Sequence, residues 1–168
     1  MPVLAFSGSN SSTSINEKLI TIAQSIIKID RVSLRKLTIP MYSTDLEKSD
    51  GLPHDIRSLI EQIKPYSSLL ISTPEHNGYT TAFFKNILDW FSRADSKFLA
   101  GKQIFLMSTS PGKKGGISAR DQVEKILGYL GATDIKTYSL ASFSQSYNDE
   151  TKTLTESDLS DLRSFLGT

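Results

Sequence analysis

Three short apolar runs, Val3-Leu4-Ala5-Phe6, Leu69-Leu70-Ile71 and Ile104-Phe105-Leu106-Met107, each give way to a loop of small, hydroxylated or turn-forming residues. Each loop then opens onto residues with helical spacing. Runs this short cannot make a buried helix and suit core strands. Repeated, the unit of strand, tight loop and helix builds a mostly parallel sheet with right-handed crossovers and helices on its faces.

The rest of the chain keeps the alternation. Ile15, Leu19, Ile22, Ile26 and Ile27 recur at helical spacing through Lys28, with Ser14 placed as N-cap and Glu17 as its capping-box partner. Arg31-Val32-Ser33-Leu34 begins a second, weaker strand that ends near Leu37, and Thr38 to Gly51 is a polar connection carrying Pro40, expected to form part of a rim. Asp55 to Lys64 is a helix through Ile56, Leu59, Ile60 and Ile63, stopped by Pro65. In the helix Thr80 to Arg93, the residues Phe83, Phe84, Ile87, Leu88, Trp90 and Phe91 cover more than one sheet face needs, which points to a partner subunit. Ile117 to Leu130 is a further helix ended by Gly131, Asp134 to Tyr138 a fifth strand, and Glu156 to Leu166 a last helix with Thr155 or Ser157 near its cap. The fold class that follows is α/β. It is a flavodoxin-like three-layer sandwich, one domain over residues 1–168, with a five-stranded parallel sheet in the order 2-1-3-4-5.

Composition limits what such a fold does here. Nineteen Lys and Arg against eighteen Asp and Glu leave a net charge of +1, so total charge points to no nucleic-acid partner. Without cysteine, redox chemistry has to come from a cofactor, and thiolate or Cys-ligated metal sites are excluded. His54, at a helix start, reads as surface, and neither histidine has companions at metal-ligand spacing. No apolar segment approaches the roughly 20 residues that cross a bilayer, and no leader pattern opens the chain, so it is expected to be cytoplasmic with no membrane partner.

In an open α/β sheet, ligands bind at the carboxyl ends of the strands where strand order reverses. The three loops Ser7 to Asn16, Pro74 to Gly78 and Ser108 to Gly112 all fall on that edge. A helix N-terminus carries unpaired amides and the positive end of the macrodipole, and the hydroxyls of the first loop add donors without bulk. That combination suits a phosphate monoester. The other two loops offer backbone and small side chains suited to a flat heteroaromatic ring, so a mononucleotide fits better than a dinucleotide. Capping alone accounts for Ser14, and Asn77-Gly78 alone is an ordinary turn signal. Lys113 and Lys114 read as a solvated loop, and Trp90, Phe83 and Phe84 as packing residues.

The chain resembles the NADPH-dependent FMN reductase family, which includes flavin, quinone, azo-dye and chromate reductases. The resemblance rests on Gly8-Ser9-Asn10-Ser11-Ser12-Thr13-Ser14-Ile15-Asn16-Glu17-Lys18-Leu19, and on Pro74-Glu75-His76-Asn77-Gly78 followed by Phe84-Lys85-Asn86 and Asp89-Trp90. Ser108 to Gly116 is a looser match. Ser11 stands where the family pattern has Arg, and His76 where it has Tyr. Loss of a cation that pairs bidentately with phosphate predicts weaker FMN binding.

The resemblance implies FMN as cofactor and NADPH or NADH as co-substrate. A reduced nicotinamide would pass hydride to the flavin and leave before a small-molecule acceptor takes the electrons, with no catalytic side chain. It also implies a homodimer or higher homo-oligomer. Ser9, Ser11, Ser14 and Asn16 are the candidate phosphate contacts, with Ile15 beside them as a further cofactor-binding residue, Pro74, Glu75, His76, Asn77 and Gly78 the candidate ring-edge contacts, and Ser110 a further contact in the third loop. A flavodoxin-type electron carrier is the alternative, disfavoured because steering to basic partners wants an acidic surface.

Overall fold

The computed structural model describes residues 3–168. In chain order its elements are β1 (Val3–Ser7), α1 (Ile15–Ile26), β2 (Ile29–Arg31), α2 (Thr44–Asp50), α3 (His54–Ile63), β3 (Ser68–Thr73), the hairpin β4 (Glu75–His76) and β5 (Tyr79–Thr80), and α4 (Ala82–Ala94). Then come β6 (Gln103–Thr109), α5 (Ile117–Tyr129), β7 (Asp134–Leu140), the short α6 (Phe143–Ser146), the hairpin β8 (Tyr147–Asn148) and β9 (Thr153–Leu154), and α7 (Glu156–Leu166).

Five strands form one parallel sheet in the order β2-β1-β3-β6-β7, which is 2-1-3-4-5 when the strands of that sheet are counted along the chain. Alternating strand residues feed two cores, as the period of a pleated strand requires. Leu4, Phe6, Leu69, Ile71, Ile104 and Leu106 pack on α3, α4 and α5. Val3, Ala5, Leu70, Phe105 and Met107 pack on α1 and α7. The sheet is thus covered on both faces, which is why its strands read as near-continuous apolar runs.

Three local expectations are corrected. The second strand is Ile29–Arg31, and the Leu34 to Leu37 stretch is a 3-10 turn over Leu34–Lys36, because Leu34 turns inward and is fully buried. Ser14 does cap α1, accepting from the Glu17 amide at 3.3 Å, but the Glu17 carboxylate pairs with the Arg31 guanidinium instead of closing a capping box. The polar connection contains a helix, α2, capped by the Ser43 hydroxyl on the Leu46 amide at 3.1 Å.

The breadth of apolar surface on α4 has its explanation within the chain. Phe84, Ile87, Leu88, Trp90 and Phe91 are all buried, because the 37–52 excursion folds over the helix and packs Leu37, Ile39, Tyr42, Leu46 and Leu52 against that core. The Pro40 carbonyl accepts from Asn86 Nδ2 and from Trp90 Nε1, each at 2.9 Å, and Asn86 Oδ1 accepts from the Tyr42 amide at 2.8 Å. The Tyr42 ring meets Trp90 edge-on at 5.0 Å. Asn86 and Trp90 therefore clamp the rim.

Two carboxylates hold the same excursion from outside. Glu47 accepts from Arg93 Nε at 2.9 Å and from the Tyr42 hydroxyl at 3.0 Å, and Asp55 accepts from the Thr38 amide at 2.7 Å. The Arg93 hydrogen bond holds the Glu47 carboxyl below its ordinary range, and the Thr38 amide does the same for Asp55. Groups lowered in the folded state contribute stability that is present above their ordinary range and lost as pH falls through the lowered one. The rim should accordingly loosen below about pH 4. Trp90, the single tryptophan, reports it: its fluorescence should shift in acid before the far-ultraviolet circular dichroism does. Coincident transitions would mean that these carboxylates do not govern the rim.

Candidate functional site

The three loops at the carboxyl edge of β1, β3 and β6 converge on one cleft of about 200 Å3, lined by Ser9, Ser11, Ser14, Ile15, Asn16, Pro74, Glu75, His76, Thr109, Ser110 and Pro111. Nine of the eleven residues expected at a site are among these, and Asn77 and Gly78 are not. Thr109 and Pro111 were missed, although they flank Ser110 in the same small-residue loop after a core strand, and that position was the signal.

The first loop is held open by its own hydroxyls. Ser7 Oγ accepts from the Ser9 amide and Ser9 Oγ from the Ser11 amide, both at 3.2 Å, and Ser11 Oγ accepts from the Thr13 amide at 3.3 Å. Each step is a side-chain turn of the kind serine favours. The intervening amides of Asn10, Ser12, Ser14, Ile15 and Asn16 have no acceptor among the described residues. A serine oxygen that already accepts an amide leaves its own O–H for another acceptor, so Ser9 and Ser14 offer donors to the cleft. No lysine or arginine lines it among the described residues. Neutral donors and the α1 dipole suit an anion such as a phosphate monoester.

Gly8 permits the approach of this loop to α4. A methyl group there would lie 2.5 Å from the Phe84 ring, and the Gly8 carbonyl accepts from the Thr81 hydroxyl at 2.8 Å. Thr81 in turn caps α4 by accepting from the Phe84 amide at 3.1 Å.

Asn16, expected as a phosphate contact, lines the cleft and also ties its walls together. Buried at 2% exposure, it donates from Nδ2 to the Thr109 carbonyl at 3.1 Å. Its Oδ1 accepts from the Ser72 hydroxyl at 2.8 Å and from the Thr109 amide at 3.2 Å. Three of its side-chain bonds join the ends of α1, β3 and β6, which leaves the second Nδ2 hydrogen and the backbone amide for an anion.

The second loop is a hairpin. Asn77 and Gly78, with φ of +54° and +81°, form the two-residue turn between β4 and β5, a type I′ arrangement that favours Asn-Gly. The turn points away from the cleft toward a neighbouring depression of about 500 Å3, lined by His76, Asn77, Tyr79, Thr80, Ala82, Lys85, Gln122 and Ile126. His76 belongs to both hollows, while His54 lies exposed elsewhere, its ring beside Asp55. Glu75 carries a carboxylate into the cleft wall, and its Oε2 accepts from the Ala119 amide at 3.3 Å. In this way it caps the first turn of α5, whose own N-cap position is Gly116.

The third loop is tied from behind. The Ser110 carbonyl accepts from the Phe143 amide at 3.1 Å, and the Gly112 carbonyl from the Ser142 amide at 3.0 Å. No group of three or more His, Cys, Asp or Glu able to hold a metal occurs among the described residues, and no described helix is long and apolar enough to cross a membrane.

Comparison with known proteins adds to this geometry. The chain is 35% identical over 94 residues to a quinone reductase of Escherichia coli strain K12, a match covering 56% of this chain, so that the chain spans only 50% of that relative's length. It is 30% identical over 130 residues to an NAD(P)H-dependent FMN reductase of Pseudomonas aeruginosa, covering 76% of this chain and 70% of the relative. The fold superposes with a TM-score of 0.74 on FerB, a flavoenzyme NAD(P)H:(acceptor) oxidoreductase of Paracoccus denitrificans, at 22% identity over 99% of this chain and 95% of that one. The sequence pattern of the NADPH-dependent FMN reductase family matches residues 1–146, and with the strand order and the three-loop cleft in place, the chain belongs to that family.

Proposed function

We propose that this chain is an FMN-dependent NAD(P)H oxidoreductase that passes electrons from a reduced nicotinamide to a small-molecule acceptor such as a flavin, a quinone or an azo compound. The observation that carries the reading is the first loop, whose uncommitted amides and serine hydroxyls lie at the edge where the strand order reverses. Ser9, Ser11 and Ser14, with the amides of Ile15 and Asn16, would hold the phosphate. Pro74, Glu75, His76 and Ser110 would border the ring, mainly through backbone, and Asn77 and Gly78 would act through the turn that sets His76. Bound FMN would supply the relay between a two-electron donor and the acceptor. The chain itself supplies position and access. The depression beyond His76, walled by Tyr79, Ala82 and Ile126, gives an apolar surface on which a flat acceptor or nicotinamide can lie.

We also place the enzyme in the cytoplasm as a homo-oligomer. Tyr79, Ile117 and Tyr129 are 66%, 40% and 79% exposed on or next to the hairpin and α5, and they would supply the contact that the buried side of α4 cannot.

An FMN titration of the purified protein, followed by anaerobic addition of NADH or NADPH, tests the function. Flavin that binds and bleaches rapidly supports it, and flavin that binds but is reduced by neither donor overturns the reductase reading. Ser11 supplies a narrower test. It is exposed at the cleft mouth where a cation would reach an anion, so Ser11→Arg should tighten FMN binding by about 1 kcal/mol or more. Unchanged affinity would remove Ser11 from the phosphate site.

A further inference from the structure

Behind the third loop runs a chain of hydrogen bonds that has only one possible direction. Arg120 Nη1 lies 2.9 Å from Ser139 Oγ, Ser139 Oγ lies 2.7 Å from Ser108 Oγ, and Ser108 Oγ lies 2.7 Å from the Gly115 carbonyl oxygen. A guanidinium only donates and a carbonyl only accepts. Ser139 must therefore accept from Arg120 and donate to Ser108, and Ser108 must donate to Gly115. Such a chain polarises each member in the same sense, so its links reinforce one another.

The guanidinium is itself aimed. Its Nε and Nη2 both engage Asp121 Oδ1, at 3.2 and 2.7 Å, which turns Nη1 toward Ser139. The Arg120 side chain is only 17% exposed. The chain ends where the third loop meets α5. Gly115 is packed on the Leu140 backbone, Gly116 adjoins Glu75, and the next turn gives the Ala119 amide to the Glu75 carboxylate. Arg120 thus joins the ends of β6 and β7 to the exit of the third loop, and through α5 to the second loop as well.

We propose that Arg120 is a positioning residue for the cofactor cleft: through Ser139 and Ser108 it sets the Gly115 carbonyl, and with it the placement of the third loop and of Glu75 against the bound flavin. Arg120 is not among the residues that line the cleft. The role rests on the flavin reading above and goes beyond it by assigning the cleft's geometry to a residue outside its lining.

The test compares the wild-type chain with Arg120→Met, Ser139→Ala, the double variant, and Ser139→Thr, which keeps the hydroxyl. FMN affinity is read by quenching of flavin fluorescence, and the visible circular dichroism of FMN at saturation reads the asymmetry of its surroundings. Arg120→Met and Ser139→Ala should each weaken FMN about tenfold and alter that dichroism, the double variant should be no worse than either, and Ser139→Thr should restore the wild-type values. Additive losses in the double variant would show that Arg120 does not act through Ser139 and would overturn the proposal. A lower melting temperature with FMN affinity and dichroism unchanged at saturation would reduce Arg120 to a structural residue and overturn it too. Wild-type protein that leaves FMN free would overturn the flavin reading and this role with it, an outcome distinct from wild-type and Arg120→Met binding FMN equally.

Discussion

Gly115→Ala should be the most disruptive small substitution between the third loop and α5, lowering stability by about 3 kcal/mol or more and the melting midpoint by roughly 10 °C. Two independent costs coincide there. Gly115 has φ of +58°, a conformation that side chains rarely adopt, and an added methyl would lie 2.7 Å from the backbone carbon and oxygen of Leu140. Backbone atoms in a sheet strand cannot step aside as the tip of a side chain can. The displacement would also carry away the carbonyl that Ser108 engages at 2.7 Å, so FMN affinity should fall in protein that still folds at low temperature. Urea titration of the apoprotein checks the first effect and flavin titration the second. A variant within 1 kcal/mol of wild type would mean that β7 and the loop are not in the close contact described.

Asn16→Ala should be nearly as costly, about 3 kcal/mol, because it strands three groups at once: the Ser72 hydroxyl, the Thr109 amide and the Thr109 carbonyl. All of them lie in a part of the protein where Ser72, Thr109 and Asn16 are almost fully buried. No buried side-chain polar atom among the described residues lacks a partner in the native chain, so the variant would introduce a defect that the fold otherwise avoids. Asn16→Asp separates the components. It keeps both acceptor contacts, loses the donor, and sets a carboxylate against the Thr109 carbonyl, so it should be destabilised at neutral pH and recover toward acid as the carboxyl protonates. Equal stability of Asn16→Ala and wild type in urea would show that the joint between α1, β3 and β6 does not depend on this side chain. Loss of FMN binding without loss of stability would instead return Asn16 to direct contact with the phosphate.

The contrast between Asn16 and Ser14 shows why parts of the site were legible and parts were not. The Ser14 cap depends on a residue three positions away, and local spacing revealed it. The Asn16 bonds reach across 56 and 93 residues, and nothing in the neighbourhood of Asn16 in the chain announces them. Its presence at the cleft was readable from the loop, but the use of its amide group was not. Asn77-Gly78 went the other way, since the turn chemistry was local and visible and only its direction relative to the cleft was not. The width of α4 was legible only in part for the same reason. An apolar stripe shows that something covers it, and whether the cover is a second chain or the 37–52 excursion depends on how that excursion folds back.

The amino-acid sequence by itself determined the alternation of strands and helices, the parallel sheet with covered faces, and the convergence of three small-residue loops on one edge. These follow from periodicity, capping and turn chemistry, which act over a few residues, and from the single sense of the crossover connections. Only the tertiary structure decided which side chains of those loops face the cleft and which are spent holding it together. It alone joined Arg120, Ser139 and Ser108 into a directed chain, because the partners of a buried polar group are set by strand register between distant segments, and register is a property of the whole sheet.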